Sequence, residues 1–532
     1  MRIKSIRIKN YHSIVDCSFE FPNLLALIGE NNTGKSNIIY ALNLFFSKDK
    51  PRDRYSFNNP SEPIEIIIEF GELTEYERNK ITEDHRDDDI FILKKIYKYD
   101  ASTGDIEKDF TSVKNGEDTN KKPRGFEHVL TDTLPEFYLL RAVKYCSEEI
   151  KMTKTTNFNK FLNLIFKEFK NDFEEWDKII QELEKEIQKT NEEAPLVKIS
   201  KEISATLKEQ FSDADVKLKP KAISRLDILN TLDVFLDDDC DLPLLNKGQG
   251  TQRAFIFAIL RILAKKINEE RPGKEKEKKD IVIAIEEPEL FLHPHQQKIV
   301  YLLLKELSQQ TKEQIQIIYS THSSFMIHVE DYKFIGLVRK ADVSSGTKII
   351  QHTGEIFTGD PKKEFQLLCQ FDPERNELFF AKKVIFVEGN TEKFSLPVIL
   401  NKIGIDSTAK SISIVECGSK GGIKLFIEMV NKFNQNNKAI DCLVMYDKDI
   451  PWYNEEDPDK IIKEKQAEKD NKYLEKICGT NPVYVSDPDF ERNLNFSFSP
   501  KTKNKPYKAR KEIINDMIKL PKGLEDFFKK NL

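Results

Sequence analysis

Leu24-Leu25-Ala26-Leu27-Ile28 runs without a break into Gly29-Glu30-Asn31-Asn32-Thr33-Gly34-Lys35-Ser36, and an apolar helix pattern follows from Asn37. An apolar strand, a Gly-x-x-x-x-Gly-Lys-Ser loop and a helix are the required context of a phosphate-binding loop. Gly29, Asn32 and Gly34 let the backbone wrap phosphate oxygens, and the helix start offers free N–H donors. Lys35 is placed for the β and γ phosphates and Ser36 for Mg2+. The cofactor this predicts is ATP.

Two further strands extend the site. Ile281 to Ile285 is continuously apolar and ends in Glu286-Glu287-Pro288-Glu289. Acids at the C-terminal end of a buried parallel strand stand where such sheets bind ligands. Glu286 is expected to hold Mg2+ and Glu287 to polarise the attacking water. Ile315 to Tyr319 leads into Ser320-Thr321-His322-Ser323, which sets His322 to sense the γ-phosphate. In this order the three segments resemble the ABC-type ATPases, as in recombination and structural-maintenance heads. The resemblance implies a signature loop, and Lys247-Gly248-Gln249-Gly250-Thr251-Gln252-Arg253 before the apolar helix Ala254 to Ala264 fits that place. In the family, Gly248 and Gly250 would reach the γ-phosphate held by a second subunit, so a dimer is implied. Leu292-His293-Pro294-His295 matches the family's turn after the acidic strand, which makes those histidines structural. Two departures stand out: Lys247 replaces the usual serine, and no glutamine occurs between Asn37 and Ile180 to serve as the Q-loop residue. ATP binding is expected, with slow hydrolysis.

A second site begins at Lys383. Lys383 to Val387 is an apolar strand ending in Glu388-Gly389-Asn390-Thr391-Glu392, and Leu443 to Tyr446 is another ending in Asp447-Lys448-Asp449. Glu392 falls one helical turn after Glu388, with Gly389 read as allowing a tight turn. Strand alternation is read as sending Asp447 and Asp449 to one side. Carboxylates so crowded need cations, and an all-oxygen set favours Mg2+ or Mn2+. Two such ions serve phosphodiester hydrolysis. Glu-Gly-x-x-Glu followed by Asp-x-Asp resembles the Toprim domain; the alternative is a flavodoxin-like domain with surface acids. Ile412 to Glu416 and Cys417-Gly418-Ser419-Lys420-Gly421-Gly422 fit its intervening strand and turn. An ABC head with a helical insertion and a C-terminal Toprim resembles the OLD (overcoming lysogenization defect) nucleases, including the Gabija-type and retron-associated ones. That resemblance implies a further acid and a lysine. Glu491 matches the acid, with Asp487 and Asp489 as competitors, and Lys505 or Lys508 supplies the lysine.

The fold expected is α/β throughout. Residues 1–150 carry the phosphate loop, 151–235 a helical insertion that dimerises, 236–378 the rest of the ATPase, and 379–532 the Toprim nuclease domain with a basic end. Pro63 to Phe70, Ile90 to Tyr99 and 134–144 read as strands, 101–126 as a loop or hairpin tip, Phe158 to Ile187 as a long helix, and 356–380 as a polar stretch. Charged residues are 33% of the chain and the net charge is −5, so any nucleic-acid site is a local basic surface. The segment 501–532, with ten Lys/Arg against four Asp/Glu, reads either as such a surface or as a solvated basic tail. The seven scattered cysteines form no CxxC pair, which suits a reducing cytoplasm. No apolar run suits a membrane span. The function expected is an ATP-regulated, metal-dependent DNA endonuclease, and the resemblance to OLD nucleases implies a prokaryotic antiviral effector. Its expected partners are DNA and a second copy or higher homo-oligomer; the same resemblance implies that an operon-encoded helicase or reverse transcriptase with its msDNA is a candidate partner, since such nucleases are found both alone and with them. The alternatives are an ATP-gated DNA-binding scaffold and a topoisomerase-like Toprim protein.

Overall fold

The computed structural model describes residues 1–119, 126–141, 178–182, 185, 195–210, 216–218, 234–237, 241–268, 279–309, 315–340, 345–355, 373–435, 440–452, 454–455, 457–498 and 502–532. Three larger sheets and one two-stranded ribbon organise them. In chain order, β1 (Arg2–Tyr11) and β2 (Ile14–Glu20) form a hairpin, and β3 (Leu24–Ile28) leaves it for a second sheet and delivers the phosphate loop to α1 (Lys35–Phe46). The chain returns through β4 (Ile64–Gly71), α2 (Glu75–Lys80), β5 (Phe91–Tyr99), β6 (Ile106–Lys114) and β7 (Glu117–Asp118), completing an antiparallel sheet in the order β2-β1-β4-β5-β6-β7. In β4 every second residue is buried, as a sheet with one wet face requires. Of residues 101–126, expected as a loop or hairpin tip, 101–105 are the tip of the β5–β6 hairpin, while 106–114 and 117–118 are strand. β6 is polar because its charged side chains face water, while Ile106 packs inward.

After α3 (Phe126–Thr133), β8 (Glu136–Leu140) joins the second sheet. The long helix expected over Phe158 to Ile187 lies mostly outside the described residues, and α4 (Pro195–Gln210) is helical as expected. A ribbon of β9 (Phe235–Asp237) and β10 (Asp241–Pro243) precedes α5 (Gln249–Asn268). That helix starts five residues before the expected Ala254, so Gly250 lies in its first turn. Next come β11 (Ile281–Glu286), α6 (Pro294–Gln309), β12 (Ile315–Thr321), β13 (Ile335–Lys340) and β14 (Thr347–Gln351). The second sheet runs β14-β13-β3-β12-β11-β8, parallel except for β14. Its central strands β3, β11 and β12 are buried throughout, which explains their unbroken apolar runs.

The third sheet is fully parallel, in the order β16 (Ile412–Glu416), β15 (Lys383–Val387), β17 (Asp441–Asp447), β18 (Val483–Ser486). Its helices are α7 (Asn390–Lys402), α8 (Lys420–Phe433), α9 (Lys460–Cys478), α10 (Phe490–Asn493), α11 (Lys505–Ile514) and α12 (Lys522–Asn531). Alternation along β15 sends Val384 and Phe386 to one core and Ile385 and Val387 to another. The first of these cores continues into one face of the ATPase sheet. Of the polar stretch expected near 356–380, residues 356–372 lie outside the described residues, and in 373–380 Leu378 and Phe379 are fully buried where the two sheets meet. No described helix is long and apolar enough to cross a membrane.

Candidate functional sites

The phosphate loop is held open by steric necessity. Gly29 has φ 153°, and a Cβ there would lie 2.3 Å from the Val338 carbonyl oxygen of β13. Gly34 has φ 104°, and its Cβ would lie 2.3 Å from Thr347 Oγ1. Asn32 takes a left-handed φ of 63° between them. Lys35 is buried, its Nζ donating to the carbonyls of Gly29 (2.8 Å) and Glu30 (2.7 Å). Burial pushes its ammonium down to about 8, against the field of Glu287. Ser36 is half-buried one residue on.

Parallel pairing brings the acidic strand alongside: Glu286 of β11 pairs in register with Ser320 of β12, and Ile28 with Thr321. Glu286 is buried and accepts a hydrogen bond from Tyr40 Oη at 2.8 Å. Glu287 lies just past the strand with φ 43°, its N–H on the Ser320 carbonyl (2.9 Å) and its own carbonyl on Arg253 Nη1 (2.9 Å). Its carboxylate stands 3.8 Å from His322 Nε2. Burial, then the charge of Lys35, pushes His322 down to about 4, so it is neutral at pH 7. The buried Glu289 accepts the His322 backbone N–H at 2.7 Å. In the signature loop, Gln252 donates to the carbonyls of Leu244, Leu245 and Lys247. A side chain on Gly250 would meet the Phe291 carbonyl at 2.8 Å, whereas Gly248 faces open space. His293 and His295 are exposed at the start of α6. Arg339 of β13 sets a second positive charge against Lys35; Tyr40, Glu289 and Arg339 have no role in the sequence reading. Glu289 was visible within the acidic run; Tyr40 and Arg339 carried no signal.

At the third sheet, Glu388, Glu392, Asp447, Asp449 and Glu491 come together around the ends of β15 and β17. Glu388 follows β15, and its Oε2 accepts the Asp447 N–H at 3.3 Å. Asp447 Oδ1 accepts the Phe490 N–H at 2.9 Å, which ties in the turn carrying Glu491. Two local readings need correction. Gly389 is extended (φ −141°), and its role is spatial, since a Cβ there would lie 3.3 Å from Glu392 Oε2. Asp449 reaches the cluster by leaving the strand, which ends at Asp447, and taking a left-handed φ of 58°.

Burial, then Asp449, pushes the Glu388 carboxyl up to about 7. Burial and the neighbouring acids push Glu392 and Asp447 upward too. Two lysines answer this charge. Lys420, buried in the turn after β16, lies 2.8 Å from Asp449 Oδ2. Lys505 lies 2.8 Å from Glu491 Oε1. Burial lowers the Lys505 pKa, but Glu491, Glu392 and Asp447 outweigh it and the net shift is upward. Among the competitors, Asp489 caps α10 and pairs with Arg492, Asp487 is exposed and pairs with Lys448, and Lys508 is exposed. Lys420 was missed; its signal was a lysine in the turn after a strand paired with β15.

No three His, Cys, Asp or Glu side chains among the described residues already stand as a closed metal-ligand group. The donor chemistry nevertheless suits a hard divalent cation: it is all oxygen, and its charge is relieved by protons that a cation would displace.

A family model described as "AAA ATPase domain" matches residues 1–327, and one described as "Overcoming lysogenization defect protein-like, TOPRIM domain" matches 379–449. The OLD nuclease of Thermus scotoductus is 26% identical, across 99% of this chain and 97% of that protein. The Old nuclease of Escherichia phage P2 is 27% identical, across 83% of this chain and 77% of that protein. Endonuclease GajA of Bacillus cereus is 22% identical, across 76% and 68%. Among solved structures, the Smc head bound to the C-winged helix domain of ScpA covers 66% of this chain and 98% of that one, at 16% identity and a TM-score of 0.38. The chain belongs to the AAA ATPase domain family and carries an OLD-like Toprim domain behind it.

Proposed function

We propose that this protein is an ATP-regulated, metal-dependent DNA endonuclease. The observation that carries the reading is the set of buried Glu392 with half-buried Glu388 and Asp447, ringed by Asp449–Lys420 and Glu491–Lys505 pairs. Bound at these carboxylates, Mg2+ or Mn2+ would supply an activated water and a counter-charge for the leaving oxygen. Glu388, Glu392, Asp447 and Asp449 are the residues that would hold it. Lys505, paired with Glu491 beside the carboxylates, would stabilise charge on the phosphate being transferred. Glu491 orients that lysine through its 2.8 Å contact.

The nucleotide site acts as a control element. Lys35, Ser36 and Glu286 would hold MgATP, Glu287 would orient the attacking water, and neutral His322 would report the γ-phosphate. Gly248 and Gly250 would complete the site of a second copy, which makes the working unit a homodimer or larger. The same proposal includes an antiviral role in the cytoplasm and a helicase or a reverse transcriptase with its msDNA as operon-encoded partners; it rests on the resemblance of the Toprim motif and the domain order to the OLD nucleases. The test is incubation of supercoiled plasmid with Mg2+ or Mn2+. Linear or nicked product supports a nuclease, relaxed closed circles indicate a topoisomerase, and unchanged plasmid leaves a DNA-binding scaffold.

A further inference from the structure

The helix that delivers Lys505 to the carboxylates has a second face. α11 lies beside α7 and runs the same way: Lys505 feels Glu392, Arg510 Nη1 donates to the Phe394 carbonyl at 3.3 Å, and Lys402 pairs with Asp516 beyond the helix ends. Ala509, Glu512 and Ile513 form the inner face, and the Glu512 carboxylate turns inward to accept the Ser497 N–H at 3.0 Å. Lys503, Tyr507, Lys508, Arg510 and Lys511 are exposed. Tyr507, Arg510 and Lys511 recur at helical spacing, so they make one stripe, and Lys503 lies in the turn just before the helix.

An ordinary solvated helix face would mix charges. This one does not: among the described residues no acid forms an ion pair with Lys503, Lys508, Arg510 or Lys511, whereas Lys9, Lys94 and Lys424 elsewhere are matched to Glu65, Asp118 and Asp470. Uncompensated cations on a chain of net charge −5 are a local anion-seeking surface. Two exposed aromatic rings accompany them, Tyr507 at 67% and Phe394 at 48% exposure. Cations set among exposed rings suit a polyanion that carries flat bases. From Lys505 to Lys511 the helix rises about 9 Å, roughly two to three nucleotide steps.

We propose that the outer face of α11, with Phe394 of α7, is the track that guides a DNA strand into the carboxylate site, and that Tyr507 stacks on an unpaired base of it. The track rests on the nuclease reading for its purpose, but its binding is measured separately. Fluorescence anisotropy is read in EDTA, so nothing is cut, with a single-stranded DNA of about 20 nucleotides, its duplex, and an RNA of the same sequence. The double variant Lys508→Glu/Lys511→Glu should weaken single-strand binding about tenfold or more and reduce the slope of log affinity against log salt by about 1.4. Tyr507→Ala should weaken the single strand about tenfold and the duplex little, with Tyr507→Phe restoring binding to within about twofold. Circular dichroism and nucleotide binding confirm that each variant is folded. A double variant with wild-type affinity and salt slope overturns the track, as does a wild type that binds no DNA or prefers the RNA. Tyr507→Ala binding like wild type overturns the stacking. If wild type cuts plasmid while the variants bind normally, the track fails and the nuclease reading stands. If binding follows the track but nothing is ever cut, the nuclease reading fails alone.

Discussion

Glu388 sets how the carboxylate site answers to pH. Its folded pKa of about 7 lies above the ordinary carboxylate range because burial and Asp449 disfavour its charge. The native state therefore binds more protons than the unfolded chain from the unfolded pKa up to about 7. The stability this gives is present below that window and is lost as pH rises through about 7. Without divalent cations, Tm should fall as pH rises from about 5 to about 7, and Mn2+ should recover the loss at pH 8 by displacing the protons. Metal affinity should rise over the same interval, by at most about tenfold per pH unit for one released proton. A Tm equally flat with pH in wild type and Glu388→Gln would refute this. Glu388→Ala or Asp447→Ala should lower cleavage at least about a hundredfold while ATP binding is kept. At the other site, Lys35→Ala should weaken ATP binding, whereas Glu287→Gln should bind ATP and turn it over slowly; equal turnover in Glu287→Gln and wild type would show that Glu287 does not orient the water. The acids of both sites were readable because each pair sits at one strand end, within a few residues. Lys420, Tyr40 and Arg339 were not, because they arrive from strands and helices whose pairing no local spacing encodes.

Among the elements, the turn from β16 into α8 shows how closely packed the frame of the site is. A Cβ on Gly422 would lie 1.9 Å from the Cys417 carbonyl oxygen, whereas one on Gly421 would meet only Ser419 Oγ at 3.4 Å. Gly422→Ala must push α8 away from β16, and Lys420 opens that helix. It should cost about 2 kcal/mol or more. Gly421→Ala, in the same turn, should be neutral or slightly stabilising, since alanine loses less entropy in a helix. Paired thermal melts decide it, and equal Tm values for the two variants would mean that the turn has slack. Buried central strands such as β3, β11, β12, β15 and β17 were legible from apolar runs, because burial on both faces leaves only one kind of residue. β6 was not, because an outer strand with one wet face carries the charges of a loop, and its partner β5 lies across a turn that Gly104 closes at φ 78°.

At the scale of the molecule, the two sites are joined by the segment that reads as a polar stretch. Asn376 Nδ2 donates to the carbonyls of Ser324 (3.1 Å) and Ile327 (3.2 Å), just past His322. Arg339 Nη2, on the strand beside the phosphate loop, donates to the Phe379 carbonyl at 2.9 Å, and Lys382 lies 3.5 Å from Glu30 of the loop itself. From the same segment, Arg375 binds the Glu416 carbonyl (2.8 Å) and carboxylate (2.7 Å) at the end of β16, and Glu374 pairs with Lys393 beside Glu392. A movement of the His322 strand end thus has a short hydrogen-bonded route to both rims of the carboxylate site. Sequence order hides this route, since its partners lie far apart along the chain. Cutting needs no ATP energy, so nucleotide can act only by shifting the population of arrangements that admit DNA. Asn376→Ala should leave basal cleavage and ATP affinity within about twofold of wild type while flattening the response to nucleotide, a coupling expected in the range of about 5- to 150-fold. The measurement titrates ATP and a non-hydrolysable analogue against cleavage at fixed free Mg2+, because ATP also chelates the metal. If Asn376→Ala lowers Tm, Arg375→Gln tests the other end of the same segment. Should both variants respond to nucleotide as wild type does, the signal does not travel through residues 374–382; should wild type itself give a flat titration and Lys35→Ala cut normally, the two sites are uncoupled.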